Sequence, residues 1–304
     1  VELFLTRVRP GDVVIVGEAH GLNPTHDIQK QVIYSLQSQG FKVSVGIEHL
    51  NYLQQDDLDG YMSGQLDEEQ FLKNIGWREG TYKGCYEYTA AGGFFDYREP
   101  MPFDCFRDQL RAPLLTGGQS LAINLPRSIS GKVFKGGLKS LTPEEMALIP
   151  PHFEVGRDIY FERFNEWVND GGHGQMPEDM VWRMFVAQSL WDDTMAWTTV
   201  KHMQQHPDEV FVIMVGDFHA SYGGGLADRI YARGLSRVHV ISQDLSAKTN
   251  FDKIKAIAMP HKRYGKRGDL TVITEILSDI PQPKMSTSAK PVWIGVYHHS
   301  LYEY

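Results

Sequence analysis

The run Asp12-Val13-Val14-Ile15-Val16-Gly17 decides the architecture. It has neither the alternation of a half-exposed strand nor the three- and four-residue spacing of an amphipathic helix. A short apolar run closed by glycine fits a strand buried on both faces, as in parallel sheets. A helix starts soon after it. Asn23 suits the cap and Pro24 the first helical position, and Ile28, Val32, Ile33 and Leu36 share one face until Gly40 stops it. A second strand, Val43 to Ile47, ends at Glu48. Strand, helix and strand make a βαβ unit with a right-handed crossover. The expected fold is α/β, a mostly parallel open sheet with helices on both faces and inserted helical segments.

Further strands are predicted at Ser120 to Ile123, Val210 to Val215 and Val238 to Ser242. Pro177 opens the longest helix, to about His202, with Met180, Met184, Ala187, Trp191 and Met195 as its apolar stripe; core packing is the plain reading of that stripe, contact with a cofactor the sharper one. A helix is predicted from Tyr222 to Arg233. Residues 1–304 read as a single α/β domain with a helical and loop insert, or lid, at 51–104 and a second helical insert at 140–176. A β-rich extension follows at 250–304, in which Leu270 to Ile276 and Val292 to Tyr297 are expected as antiparallel edge strands.

With 42% hydrophobic and 22% charged residues, the 304-residue chain can bury a sizeable core. A net charge of -8 argues against a nucleic-acid partner, which needs a basic face. The basic residues at 261–263 and 266–267 read as a solvated loop. No apolar stretch is long enough to span a bilayer. The chain opens at Val1 without an export signal or a lipid-bearing cysteine, which fits an engineered start or a mature form whose export segment has been removed. The two cysteines, Cys85 and Cys105, fit a disulfide in an exported protein and two free thiols equally well.

The strands end in polar groups where open α/β sheets bind ligands. The first delivers Glu18 and His20, the second Glu48 and His49, the third Asn124 and Arg127, and the fourth Asp217 and His219. Carboxylates and imidazoles in one cleft shift one another's pKa values and provide an acid and a base near neutral pH. Glu18, His20, Glu48, Arg127 and His219 are thus the candidate catalytic residues. His20, Glu48 and His219 are also candidate ligands for a divalent metal ion. The bland alternative has Glu18 and Glu48 capping helices and pairing with Arg127.

Several blocks are similar to the ChaN-like haem-binding uptake family. Gly17-Glu18-Ala19-His20, with Pro24-Thr25-His26 and Gln29, resembles its opening signature; Val45-Gly46-Ile47-Glu48 and Leu58-Asp59-Gly60-Tyr61-Met62-Ser63-Gly64 resemble its second block. Tyr97-Arg98-Glu99-Pro100 and Ala122-Ile123-Asn124-Leu125-Pro126-Arg127 follow, then Ala187 to Ala196 and Gly216-Asp217-Phe218-His219-Ala220-Ser221-Tyr222. The resemblance runs in order from about residue 10 to 243. It implies a bacterial, iron-regulated protein, exported and held in the periplasm or at the outer membrane by a lipid anchor. It also implies haem bound through a tyrosine oxygen and stacked across a homodimer. The wider superfamily, with erythromycin esterases and Tiki-type metalloproteases, implies a base or metal-ligand role for Glu18, His20, Glu48 and His219. The chain departs from the family in lacking the lipid-attachment cysteine and in its longer segment past residue 250.

Haem needs an apolar slot, a cationic edge and an axial donor. Among 14 tyrosines, Tyr222 and Tyr97 are the candidate iron ligands, with His26, Asn124 and Trp191 as further cofactor-contacting residues. Tyr82, Tyr86 and Tyr88 can line a lid. Three functions follow as alternatives: a haem-binding uptake protein, a metal-dependent or Glu/His-based hydrolase, and a docking module that keeps an ancestral site.

Overall fold

The chain enters through a short helix, α1 (Glu2–Leu5), and forms β1 (Val13–Glu18), buried at every position. Helix α2 (Asn23–Ser38) returns it to β2 (Val43–Asn51). Helices α3 (Gln55–Met62), α4 (Glu68–Asn74) and α5 (Asp104–Arg111) precede β3 (Ser120–Asn124). Then come α6 (Arg127–Gly136), α7 (Pro143–Met146), α8 (Asp158–Asp170) and the long α9 (Glu178–Gln205), which leads to β4 (Val210–Gly216). The chain continues through α10 (Asp217–Ala220), α11 (Leu226–Ala232), β5 (Val238–Ala247), α12 (Phe251–Ala258), β6 (Leu270–Ile276) and β7 (Ile294–Tyr297). This computed structural model describes residues 1–20, 23–77, 103–170, 176–247, 250–276 and 294–297.

The strands form one sheet in the order β3-β2-β4-β1-β5-β6-β7. β1 lies between β4 and β5 and is parallel to both. Alternate residues of β1 serve opposite layers. Val14 and Val16 pack with Ile28, Val32 and Ile33 of α2 and with Phe106 of α5, whereas Val13 and Ile15 pack with Met195 of α9 and Ile230 of α11. Both faces of the central strand are therefore covered, which is why its run is continuously apolar.

Three expectations need correction. β6 is parallel to β5, from Ile241↔Leu270 to Ala247↔Ile276, rather than antiparallel. Helix α12 packs on both strands and carries the chain back, making a crossover that only a parallel pair requires. Among the described strands only β7 is antiparallel to its neighbour, β6. The predicted helix from Tyr222 to Arg233 is broken: Tyr222 (φ 61) and Gly223 (φ 70) take left-handed backbone after α10, and α11 starts afresh at Leu226. On α9, Met180, Met184 and Trp191 are only partly buried, while Phe185 to Leu190 and Asp192 to Ala196 are buried all round. Helices α6 and α11 and strand β3 enclose this stretch together, so no single stripe describes it.

β3 is an edge strand whose backbone is partly satisfied by one side chain. The Gln55 amide donates to Ser120 O (3.0 Å) and accepts from Ala122 N (2.8 Å). Cys105 on α5 is disulfide-bonded, and Cys85 lies outside the described residues. Among the described residues no helix is long and apolar enough to cross a membrane.

Candidate functional site at the strand carboxyl ends

The ends of β1, β2 and β4 meet in one crevice. Glu18, the last residue of β1, lies in register with Gly216, the last of β4. The pairing of β2 with β3 shifts register between Ile47 and Asn51, an irregularity that spans Glu48 and His49. Glu48 Oε2 accepts from Gly216 N at 2.6 Å, so part of the expected helix-end role of this carboxylate is real. Gly216 is needed for the approach of His20: a Cβ there would stand 2.7 Å from His20 Nε2.

Two buried acid–base groups share His20 between them. In the first, Glu18 is fully buried; its Oε1 lies 2.8 Å from His20 Nδ1 and its Oε2 accepts from Gln29 Nε2 at 2.6 Å. His26 Nδ1 lies 3.4 Å and His49 Nε2 3.8 Å from the same carboxylate. In the second, His219 Nε2 lies 3.5 Å from Glu48 Oε1, and His219 Nδ1 lies 2.6 Å from Asp192 Oδ1. Asp192 Oδ2 accepts from the Tyr160 hydroxyl at 2.8 Å. His20 Nε2 is 3.8 Å from Glu48 Oε1 and closes the connection. His20 is also the member that solvent reaches, with 46% of its side chain exposed.

Burial pushes the Glu18 carboxyl up, but His26, His20 and His49 together outweigh it and hold the group at about 2. Glu48 is likewise held well below the usual carboxylate range: burial opposes this, and His219 and His20 prevail. Burial alone would lower His219, yet Asp192 and Glu48 raise it to about 10, so it is an imidazolium at neutral pH. His20 is raised as well, with burial overcome by Glu48 and Glu18. His49 goes the other way, to about 4, because burial exceeds the pull of Glu18. Burial also lowers His26. The crevice thus holds ionised carboxylates, one fixed imidazolium, one accessible histidine and two buried neutral ones.

The remaining predicted residues are placed differently. His26 is buried beneath Glu18 with its ring 4.6 Å from Phe106, and its Nε2 has no hydrogen-bond partner among the described residues. Asn124 spends its amide on backbone, donating to Glu48 O (2.9 Å) and accepting from Leu125 N (2.8 Å). Arg127 is exposed at the start of α6, and its charge helps to keep His49 neutral. Trp191 lies 6.3 Å from the His219 ring, its indole N–H buried without an acceptor among the described residues. Asp217 is tied to Arg267 (2.7 Å), Ser242 (3.1 Å) and Gln243 N (2.7 Å), and its hydrogen bonds and ion pairs among the described residues do not include His20 or Glu48. Tyr97, with Tyr82, Tyr86 and Tyr88, lies outside the described residues.

Tyr222 is partly buried on the loop after α10, its N–H donating to Arg267 O at 2.7 Å. The guanidinium groups of Arg163 and Arg267 lie 5.4 and 5.8 Å from its ring, and the rings of Tyr264 and His261 lie 6.0 and 6.2 Å away. Arg267 is paired with Asp217 and Asp244. Arg163, by contrast, has no carboxylate within ion-pair distance among the described residues. It donates to Ser221 Oγ (2.9 Å) and Phe218 O (2.8 Å) and stacks on the Phe218 ring at 4.1 Å.

A set of donor atoms with metal-ligand spacing exists in Glu18, His20 and His49, all within 4.8 Å of one another. The predicted set of His20, Glu48 and His219 shares only His20 with it. Sequence reasoning missed Tyr160, Asp192 and Arg163 as parts of this region. Gln188 and Asp192, polar residues four apart on α9, were a usable signal for the second; nothing comparable marks Tyr160 or Arg163.

A family model described as haem-binding uptake, Tiki superfamily, ChaN matches residues 4–230. Among solved structures, ChaN of Campylobacter jejuni with cofacially bound haem is similar to the chain. The TM-score is 0.57 at 16% identity, over 80% of this chain and 85% of that one, a likeness of fold alone. An erythromycin esterase in its open conformation is similar with a TM-score of 0.44 at 10% identity, over 81% of this chain and 73% of that one. No curated protein sequence matches significantly.

Proposed function

The chain belongs to the haem-binding uptake family of the Tiki superfamily, the ChaN group, and on that premise we propose that it binds haem for bacterial haem or iron uptake, with the Tyr222 oxygen as iron ligand. The setting of Tyr222 is the observation that carries the choice of ligand. A left-handed backbone costs a non-glycine residue roughly 1–2 kcal/mol, and strain of this kind concentrates at functional positions. The ring is flanked by two guanidinium groups, one of them without a carboxylate partner among the described residues. Phe218 and the 58%-exposed Trp167, 5.2 Å apart, extend an aromatic surface around Arg163. A porphyrin asks for this set: flat apolar contact, positive charge for propionates and a hard oxygen donor for ferric iron. The residues present therefore fit the group.

Haem, once bound, brings a ferric centre and a strong visible chromophore. The chain's own part is to fix the Tyr222 backbone through the Arg267 carbonyl, which accepts its N–H, and to offer charge at the rim through Arg163. Family membership supports three further parts of the proposal. These are a homodimer with haems facing across it, export to the periplasm or outer membrane, and attachment by a lipid anchor.

An absorbance titration with hemin tests the reading. A tyrosinate-type high-spin ferric spectrum at stoichiometric protein is expected, lost in Tyr222→Phe and kept in Tyr97→Phe. A free-hemin spectrum in the wild type would end the haem proposal; loss in Tyr97→Phe alone would move the ligand there.

A second reading, a metal-dependent or Glu/His-based hydrolase, is favoured by the cluster of Glu18, His20 and His49. Glu18 orients His20 through Nδ1 and leaves Nε2 towards solvent and Glu48, the arrangement of a general base with its orienting carboxylate. A divalent metal held by Glu18, His20 and His49, or by His20, Glu48 and His219, would supply Lewis acidity. Metal analysis of the purified protein and an ester and peptide screen, with His20→Ala as control, decide this. Blank results in both remove it.

A further inference from the structure

We infer a second ligand site, between α9 and α11, for a small planar carboxylate. A cavity of about 410 Å³ opens there, lined by Asp193, Trp197 and Lys201 of α9, by Arg229 and Arg233, and by Glu154. None of Glu18, His20, Glu48, His219 or Tyr222 lines it.

Its charges are not balanced where it is buried. Arg233 is satisfied, because its fork meets both oxygens of Asp193 at 2.8 and 2.6 Å. Arg229 is not. Its side chain is 9% exposed, its Nη1 donates to the Glu154 carbonyl at 3.3 Å, and its Nε is buried with no hydrogen-bond partner among the described residues. The nearest carboxylate oxygen is Glu154 Oε2 at 3.9 Å, on a side chain 80% exposed that can leave for water without cost of burial. A buried guanidinium with an unused donor is expensive unless an anion meets it. The guanidinium edge suits a carboxylate.

The rest of the cavity selects the body of the ligand. Trp197 offers an aromatic wall, and Lys201, exposed at the mouth, sits 5.7 Å from that ring. Val200 adds an apolar floor. A flat unsaturated ring bearing one carboxylate would stack on Trp197 with its charge at Arg229 and Lys201 in reach.

Calorimetric titration of the full chain with benzoate, cyclohexanecarboxylate and inorganic phosphate tests the assignment. Benzoate is expected to bind saturably below about 10 mM, several-fold tighter than cyclohexanecarboxylate. Arg229→Gln should weaken it about tenfold or more. Lys201→Glu, at an exposed position that does not threaten folding, should weaken it several-fold, and Trp197→Leu should erase the preference for the aromatic ring. Absence of saturable benzoate binding overturns the proposal, as does affinity unchanged in both charge variants. Phosphate binding as tightly as benzoate overturns the planar-carboxylate assignment.

Discussion

His219 and Asp192 are joined by a 2.6 Å contact between Nδ1 and Oδ1, which ties α10, the helical turn after β4, to the middle of α9. The imidazolium stays charged because Asp192 on one side and Glu48 on the other outweigh burial. Asp192→Asn keeps the shape but removes the charge. Breaking a buried ion pair from one side costs about 3–5 kcal/mol, and denaturant unfolding should show a loss of that size. The His219 titration, followed by NMR, should move down from about 10. An unchanged titration would show that Asp192 does not hold the proton there.

Stability should fall on both sides of neutrality, for different reasons. The raised His219 contributes fully below its unfolded value of 6.5, and the contribution is lost as pH climbs through about 10. The depressed Glu18 contributes above 4.5 and loses its contribution as pH drops towards about 2. His49 acts on the acid side too: between 6.5 and about 4 the unfolded chain takes up a proton that the folded residue refuses, so stability declines there. Urea melts from pH 3 to 10 read these limbs. Glu18→Gln should flatten the lowest one, His49→Gln the middle one and Asp192→Asn the alkaline one.

Gly216→Ala should damage the crevice without replacing an ionisable group. The added Cβ would lie 2.7 Å from His20 Nε2, so the imidazole must move away from Glu48. Overpacking of this kind costs about 1–3 kcal/mol. The expected signature is an altered His20 titration with the secondary structure intact by circular dichroism; an unaltered titration would mean that the ring has room to give.

Gln55→Ala should expose the β3 edge. The amide that now pairs with Ser120 O and Ala122 N would be gone, leaving strand backbone open to a second chain. About 1–2 kcal/mol of stability should be lost, with concentration-dependent aggregation by light scattering. Gln55→Glu should restore the acceptor half and less than half of the protection.

Much of this was legible in the residues. The apolar runs marked β1, β2, β3 and β4, and their polar ends named Glu18, His20, Glu48 and His219, which do share one crevice. Local patterning suffices for such features, because a strand buried on both faces and a loop at its end leave their mark within a few residues. The direction of β6 was not legible: its residues read alike whether the partner strand is parallel or antiparallel, and α12 had to be seen packing on β5 and β6. Nor was the break at Tyr222, where left-handed backbone stands in a residue other than glycine.

Continuous apolar runs and helix punctuation thus determined, within the sequence itself, an α/β sheet with ionisable groups at its strand ends. Tertiary structure alone decided which of those groups are charged. Asp192 comes from the distant helix α9 and, with Glu48, makes His219 an imidazolium, and burial makes His49 neutral, while Asn124 and Asp217 turn to backbone and to Arg267. The reason is physical: pattern along a chain reports hydrophobic period, whereas the charge state of a side chain depends on whatever the fold brings within a few ångströms of it.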